Sequence, residues 1–162
     1  RNADISMTST YKKIPTSVSE DLASDTDVTA EISNTVRFAI YRYSNITGKY
    51  ELIKDAGSET KLSEMFEIKR TSDQTPTSCT AKNEYFEIEI SDEAKLKSNS
   101  EDENYVSTED YVLSVKKDHN GNFIAKPGHY KIVSTVTRDR SGLTEDFLIF
   151  DLTDKDKVLT VK

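Results

Sequence analysis

An antiparallel, all-β sandwich is the fold this sequence predicts, and three observations predict it. Apolar and polar residues alternate with a period of two in many short segments. Polar, turn-forming clusters separate those segments. No stretch joins a long apolar strand, a glycine turn and an amphipathic helix, as a βαβ unit would.

The alternation is clearest in Val36-Arg37-Phe38-Ala39-Ile40-Tyr41-Arg42-Tyr43 and in Tyr85-Phe86-Glu87-Ile88-Glu89-Ile90. In an extended chain successive side chains point to opposite faces. Val36, Phe38 and Ile40 therefore share one face, and Phe86, Ile88 and Ile90 share another, with Glu87 and Glu89 opposite. A helix would scatter both sets around its circumference. Similar runs occur at Ile5 to Tyr11, Tyr50 to Ile53, Met65 to Lys69, Tyr111 to Lys116, His129 to Thr137, Thr144 to Asp151 and Val158 to Val161. The turn signals fall between them. Ser44-Asn45-Ile46-Thr47-Gly48, Asp118-His119-Asn120-Gly121-Asn122 and Asp139-Arg140-Ser141-Gly142 each read as an antiparallel connection. Two segments look different: residues 16–31 are rich in Ser, Thr and Asp, and residues 91–110 carry seven acids. Both are expected as long surface loops, with a short helical turn where Ser91 precedes Asp92, Glu93 and Ala94.

Composition narrows the function classes. The 162 residues suit one domain, taken as 1–162. With 22 Lys and Arg against 29 Asp and Glu, the formal charge is −7, so nucleic acid is not expected as a partner. No run of about eighteen apolar residues exists, which excludes a spanning helix in this stretch. Cys79 is the single cysteine, so an internal disulfide and a multi-cysteine zinc site are both impossible. Its polar surroundings, Gln74 to Thr80, read as a turn carrying an incidental thiol. The chain opens on Arg1 without a leader pattern and is read as a processed product or an excised fragment.

The residues offer little chemistry. Asp118-x-Asn120-x-Asn122 has the alternate oxygen spacing of a calcium loop, but Phe123 takes the sixth position and no acid closes the loop, so a hairpin turn is the better reading. Asp25 with Asp27, and Asp154 with Asp156, are acid pairs without completing ligands. His119 and His129 are the two histidines, and no G-x-S-x-G accompanies them. No catalytic, cofactor or metal site is therefore expected. Tyr41 and Tyr43 share a strand face with Arg37 and Ala39, opposite the apolar set. If exposed, that face is a stacking platform for a sugar; the alternative is ordinary cross-strand aromatic pairing. A Lys–Asn cross-link would need a lysine and an asparagine, Asn34 or Asn83, buried beside an acid, and the lysines read as outward-facing.

One resemblance adds to this. The segment Lys126-Pro127-Gly128-His129-Tyr130-Lys131-Ile132-Val133-Ser134-Thr135-Val136-Thr137 through Asp139-x-x-Gly142 to Phe147 resembles the closing hairpin of bacterial immunoglobulin-like domains. There a P-G-x-Y start leads into an alternating strand, a D-x-x-G turn and a return strand. The resemblance implies an Ig-like sandwich, with Tyr130 as a corner tyrosine tied to backbone. Val36 to Ile53 is loosely similar to β-rich repeats of Gram-positive surface proteins and pilins, though the E-x-x-A-P-x-G-Y element of the collagen-adhesin B-type family is missing. The implied setting is extracellular or at the bacterial cell surface, with a non-enzymatic structural or adhesion role. The expected partners are other surface proteins, neighbouring domains or glycans. The alternatives are a carbohydrate-binding module, with or without calcium, and an accessory domain of a hydrolase.

Overall fold

The computed structural model describes residues 3–12, 17–19, 27–97, 106–137, 143–152 and 160–161. In chain order the elements are β1 (Ala3–Lys12), β2 (Ser17–Ser19), β3 (Asp27–Ser44), β4 (Lys49–Leu52), α1 (Leu62–Met65), β5 (Phe66–Arg70), β6 (Thr77–Ser78) and β7 (Thr80–Ala81). They continue with β8 (Phe86–Lys97), β9 (Val106–Val115), β10 (Gly128–Thr137), β11 (Leu143–Leu152) and β12 (Thr160–Val161). Every strand pairing among the described residues is antiparallel.

Two sheets result. The smaller runs β1-β9-β5-β6, and the larger runs β12-β11-β10-β3-β8-β7. The long strand β3 organises the larger sheet. On one edge it pairs first with β8, from Asp27 to Phe38, and then with β4, from Tyr41 to Ser44; on the other it pairs with β2 and then with β10.

The predicted alternation sets the core. Val36, Phe38 and Ile40 of β3 are buried, as are Tyr130, Ile132 and Val136 of β10 and Tyr111, Leu113 and Val115 of β9. The sheets meet through aromatic edges. Phe38 lies edge-on to Tyr111 across the interface, with centroids 4.8 Å apart, and Phe66 lies edge-on to Tyr130 at 6.0 Å. Such contacts add to what area burial alone contributes, because the positive ring edge meets the negative face.

Several expectations need correction. Residues 16–31 and 91–110 are not two long loops. Asp27 to Ser33 pair with Ser91 to Lys97, Ser17 to Ser19 pair with Thr29 to Glu31, and Val106 to Asp110 pair with Thr8 to Lys12. The proposed helical turn at Ser91 is strand β8. The reason is that a ladder satisfies backbone N–H and C=O groups whatever the side chains, so a polar composition conceals a strand that has a partner. The turn α1 falls between two expected strands, its Leu62 and Met65 buried, and the Asp55 carboxylate accepts from the Leu62 N–H at 2.7 Å. Asp139 to Gly142, Val158 and Leu159 lie outside the described residues, although Thr137 pairs with Leu143 and Thr160 with Asp151 around them.

Candidate functional site

The outer face of the larger sheet collects the predicted tyrosines. The turn Asn45 to Gly48 is short, closed by the Gly48 N–H donating to the Ser44 carbonyl at 2.8 Å, and Gly48 sits at φ +70°, a region that favours glycine. It places Tyr43 directly opposite Tyr50 on β4. Their rings meet edge-on at 5.4 Å, and Tyr43 also meets the His129 ring edge-on at 6.4 Å. Lys131 on β10 is the register partner of Tyr41, and its ammonium lies 5.2 Å from the Tyr41 centroid and 5.1 Å from that of Tyr50. One cation thus spans two rings from different strands, drawn by the negative ring faces.

This cluster joins residues that sequence reasoning singled out, Tyr41 and Tyr43, with three it missed. Tyr50 was within reach, since a four-residue turn sets the register of Tyr43 against it. His129 and Lys131 were not, because the β10–β3 pairing spans more than eighty residues. Chemically, the face offers phenol hydroxyls, an exposed imidazole and a lysine held over ring faces. It can stack against a flat apolar ligand face only if Lys131 moves aside.

The opposite face of this same end of β3 holds a corner. The Tyr130 hydroxyl donates to the Lys126 carbonyl at 2.5 Å, and Arg42 Nη2 donates to the Pro127 carbonyl at 2.6 Å. Burial pushes the Tyr130 hydroxyl up to about 12, against a smaller downward pull from Arg42. Beside this corner lies an open cavity of about 440 Å³, whose walls include Arg42, Ile53, Met65, Ile124, Lys126 and Tyr130.

The remaining candidates are structural in their contacts. Asp118 Oδ1 accepts from the Asn120 and Asn122 N–H groups at 2.9 and 3.0 Å, so that carboxylate closes its own turn. No cluster of three metal-ligating side chains occurs among the described residues. Asp25, Asp154 and Asp156 lie outside them, as does the side chain of Asp27. Cys79 is not in an exposed turn: it is buried, its N–H donates to the Ile68 carbonyl at 2.8 Å, and burial pushes its thiol up to about 12. A thiol held neutral is a poor nucleophile.

Asn34 is buried at 2% exposure in the inward row of β3, and its Oδ1 has no hydrogen-bond partner. Among the lysines whose side chains are described, none is buried. Asn83 is exposed and caps a loop instead, its Oδ1 accepting from the Ala56 N–H at 2.9 Å. Glu109, also buried, takes Arg70 Nε and Nη2 on one oxygen at 2.9 and 2.8 Å. Burial alone would pull the Arg70 guanidinium down, but the hydrogen bond and charge of Glu109 outweigh it and hold the group above its ordinary value.

No helix among the described residues is long and apolar enough to cross a membrane. Comparison with protein-family models, with curated proteins and with solved structures finds no match.

Proposed function

We propose that this chain is an Ig-like β-sandwich serving as a structural or adhesion module of a bacterial cell-surface or secreted protein. The observation that carries the reading is the strand order with its corner. Taken as strands B, E and D, β1-β9-β5 form one sheet, and β11-β10-β3 stand as G, F and C in the other. That assignment supports an immunoglobulin-like reading, in which B, E and D pair in one sheet and C, F and G in the other. Tyr130 then lies near the start of the F strand with its hydroxyl on a carbonyl four residues upstream, where a corner tyrosine belongs. Of the strands inserted between D and E, β7 and β8 widen the C edge of the larger sheet and β6 extends the smaller one beyond β5.

Fold alone does not assign a role. The surface setting rests on the resemblance of the Lys126 to Phe147 hairpin, and the test is location. Antibody raised against this domain should label intact source cells or their medium. Label appearing only after lysis overturns the reading.

A second reading is a glycan-binding module, favoured by the tyrosines gathered at Tyr41, Tyr43 and Tyr50. A glycan array probed with and without calcium separates the two. Reproducible binding lost in Tyr41→Ala or Tyr43→Ala establishes the second; a blank array leaves the structural role standing.

A further inference from the structure

The inward row of β3 runs Asn34, Val36, Phe38, Ile40 and then Arg42, so a guanidinium follows Ile40 in a mostly apolar row, with only Ser44 beyond it on that face of the strand. A half-buried charge is costly unless an opposite charge or hydrogen bonds compensate it. Arg42 is only partly compensated. Nη2 donates to the Pro127 carbonyl and the guanidinium also hydrogen-bonds the Tyr130 side chain, while Nε is buried against Gly128 without an acceptor. Among the described residues no carboxylate forms an ion pair with it, and this includes Glu59, which lines the same cavity.

The space beside it is built for a particular chemistry. Ile53, Met65 and Ile124 make apolar wall, Arg42 and Lys126 bring two positive charges, and the volume of about 440 Å³ lies in the range of small-ligand sites. The cations ask for an anion, and the three apolar side chains ask for hydrocarbon attached to it. With Nε and Nη2 against Gly128 and Pro127, Arg42 offers a carboxylate its charge and its remaining donors.

We propose that this cavity binds a carboxylate carried on a short aliphatic body, with Arg42 as its anion partner. The site is separate from the outer tyrosine face, since residue 42 has the opposite strand parity to Tyr41 and Tyr43. It does not depend on where the protein resides. A free acyl acid and the C-terminus of a peptide share this chemistry, and N-acetyl-leucine serves as a probe for both.

The test is a titration of the ¹⁵N-labelled chain, followed by its amide spectrum, with N-acetyl-leucine, N-acetyl-leucinamide and inorganic phosphate in separate series. Saturable shifts are expected at Gly57, Ser58, Thr60 and Ile124 with the acid, and about tenfold weaker binding with the amide, which lacks the charge-assisted bonds. Hexanoate matching N-acetyl-leucine identifies a free acid as sufficient; hexanoate failing where N-acetyl-leucine binds identifies the acylated amino-acid end. Arg42→Gln, if its spectrum stays dispersed, should abolish the shifts. If that variant does not fold, the acid-against-amide comparison on the unaltered chain decides. Equal binding of acid and amide, phosphate reproducing the same shifts, or no saturation with any probe overturns the proposal.

Discussion

A methyl group on Gly128 would stand 3.0 Å from Nε and 3.1 Å from Nη2 of Arg42. The first residue of β10 is glycine because the guanidinium of β3 lies against its α-carbon, and its φ of +156° is a conformation that side chains disfavour. Gly128→Ala should therefore destabilise the fold by roughly 1–3 kcal/mol, measured by urea denaturation. Arg42→Ala in the same chain should recover part of that loss, because it removes the collision and leaves the backbone cost. Strictly additive effects would show that the contact carries none of it.

Tyr130→Phe removes the hydroxyl from the Lys126 carbonyl while keeping the ring against Phe66. The expected loss is about 1 kcal/mol, the net worth of one hydrogen bond. Tyr130→Ala should cost about 3–5 kcal/mol, since it also empties the core. Similar losses for the two variants in the same assay would place the whole effect in the hydroxyl and contradict the packing argument.

Arg70 and Glu109 join β5 to β9 as a nearly buried pair, with Asp73 completing the guanidinium's contacts at 3.0 Å. Glu109→Gln leaves the arginine only the more exposed Asp73 and should cost about 2–4 kcal/mol. Replacing both, as Arg70→Met with Glu109→Leu, should cost much less than that single change. Thermal unfolding of the three chains checks the order.

Alkaline pH should weaken the fold. Burial raises Cys79 from 9.0 and Tyr130 from 10.0, each to about 12. Each is neutral when protonated, so the folded chain holds these protons more tightly than the unfolded chain. Their contribution is complete below about pH 9 and is lost as pH rises through about 12. Urea midpoints should fall across that window, and fall less in the Cys79→Ala, Tyr130→Phe double variant. Parallel profiles for the two chains would remove these groups as the cause.

Ile46 serves as a control. At 97% exposure on the β3–β4 turn it packs against nothing, and Ile46→Asp should stay within about 0.5 kcal/mol of the parent in the same denaturation assay.

Local pattern was legible in this sequence wherever one face of a strand is apolar. Val36, Phe38 and Ile40 announce an inward face, and Ser44 to Gly48 a tight turn, because both depend on neighbours a few residues away. The Pro127-Gly128 corner and its tyrosine were legible for the same reason. Long-range pairing was not. The stretch Asp27 to Ser33 carries only a weak signal, Val28, Ala30 and Ile32 alternating with polar residues, and it is strand because β8 lies beside it. Cys79 is buried because β5 accepts its backbone, although its neighbours in sequence are hydroxyls.

By itself, then, the sequence determined the all-β class, the inward rows and the turns, since a period of two and a turn's φ angles are properties of adjacent residues. Only the tertiary structure decided which strands meet. That pairing set Lys131 over Tyr41 and Tyr50, laid Arg42 against Gly128, and put a guanidinium beside an apolar cavity. Those arrangements depend on contacts between residues far apart along the chain, where backbone hydrogen bonding and core packing, rather than local preference, choose the partner.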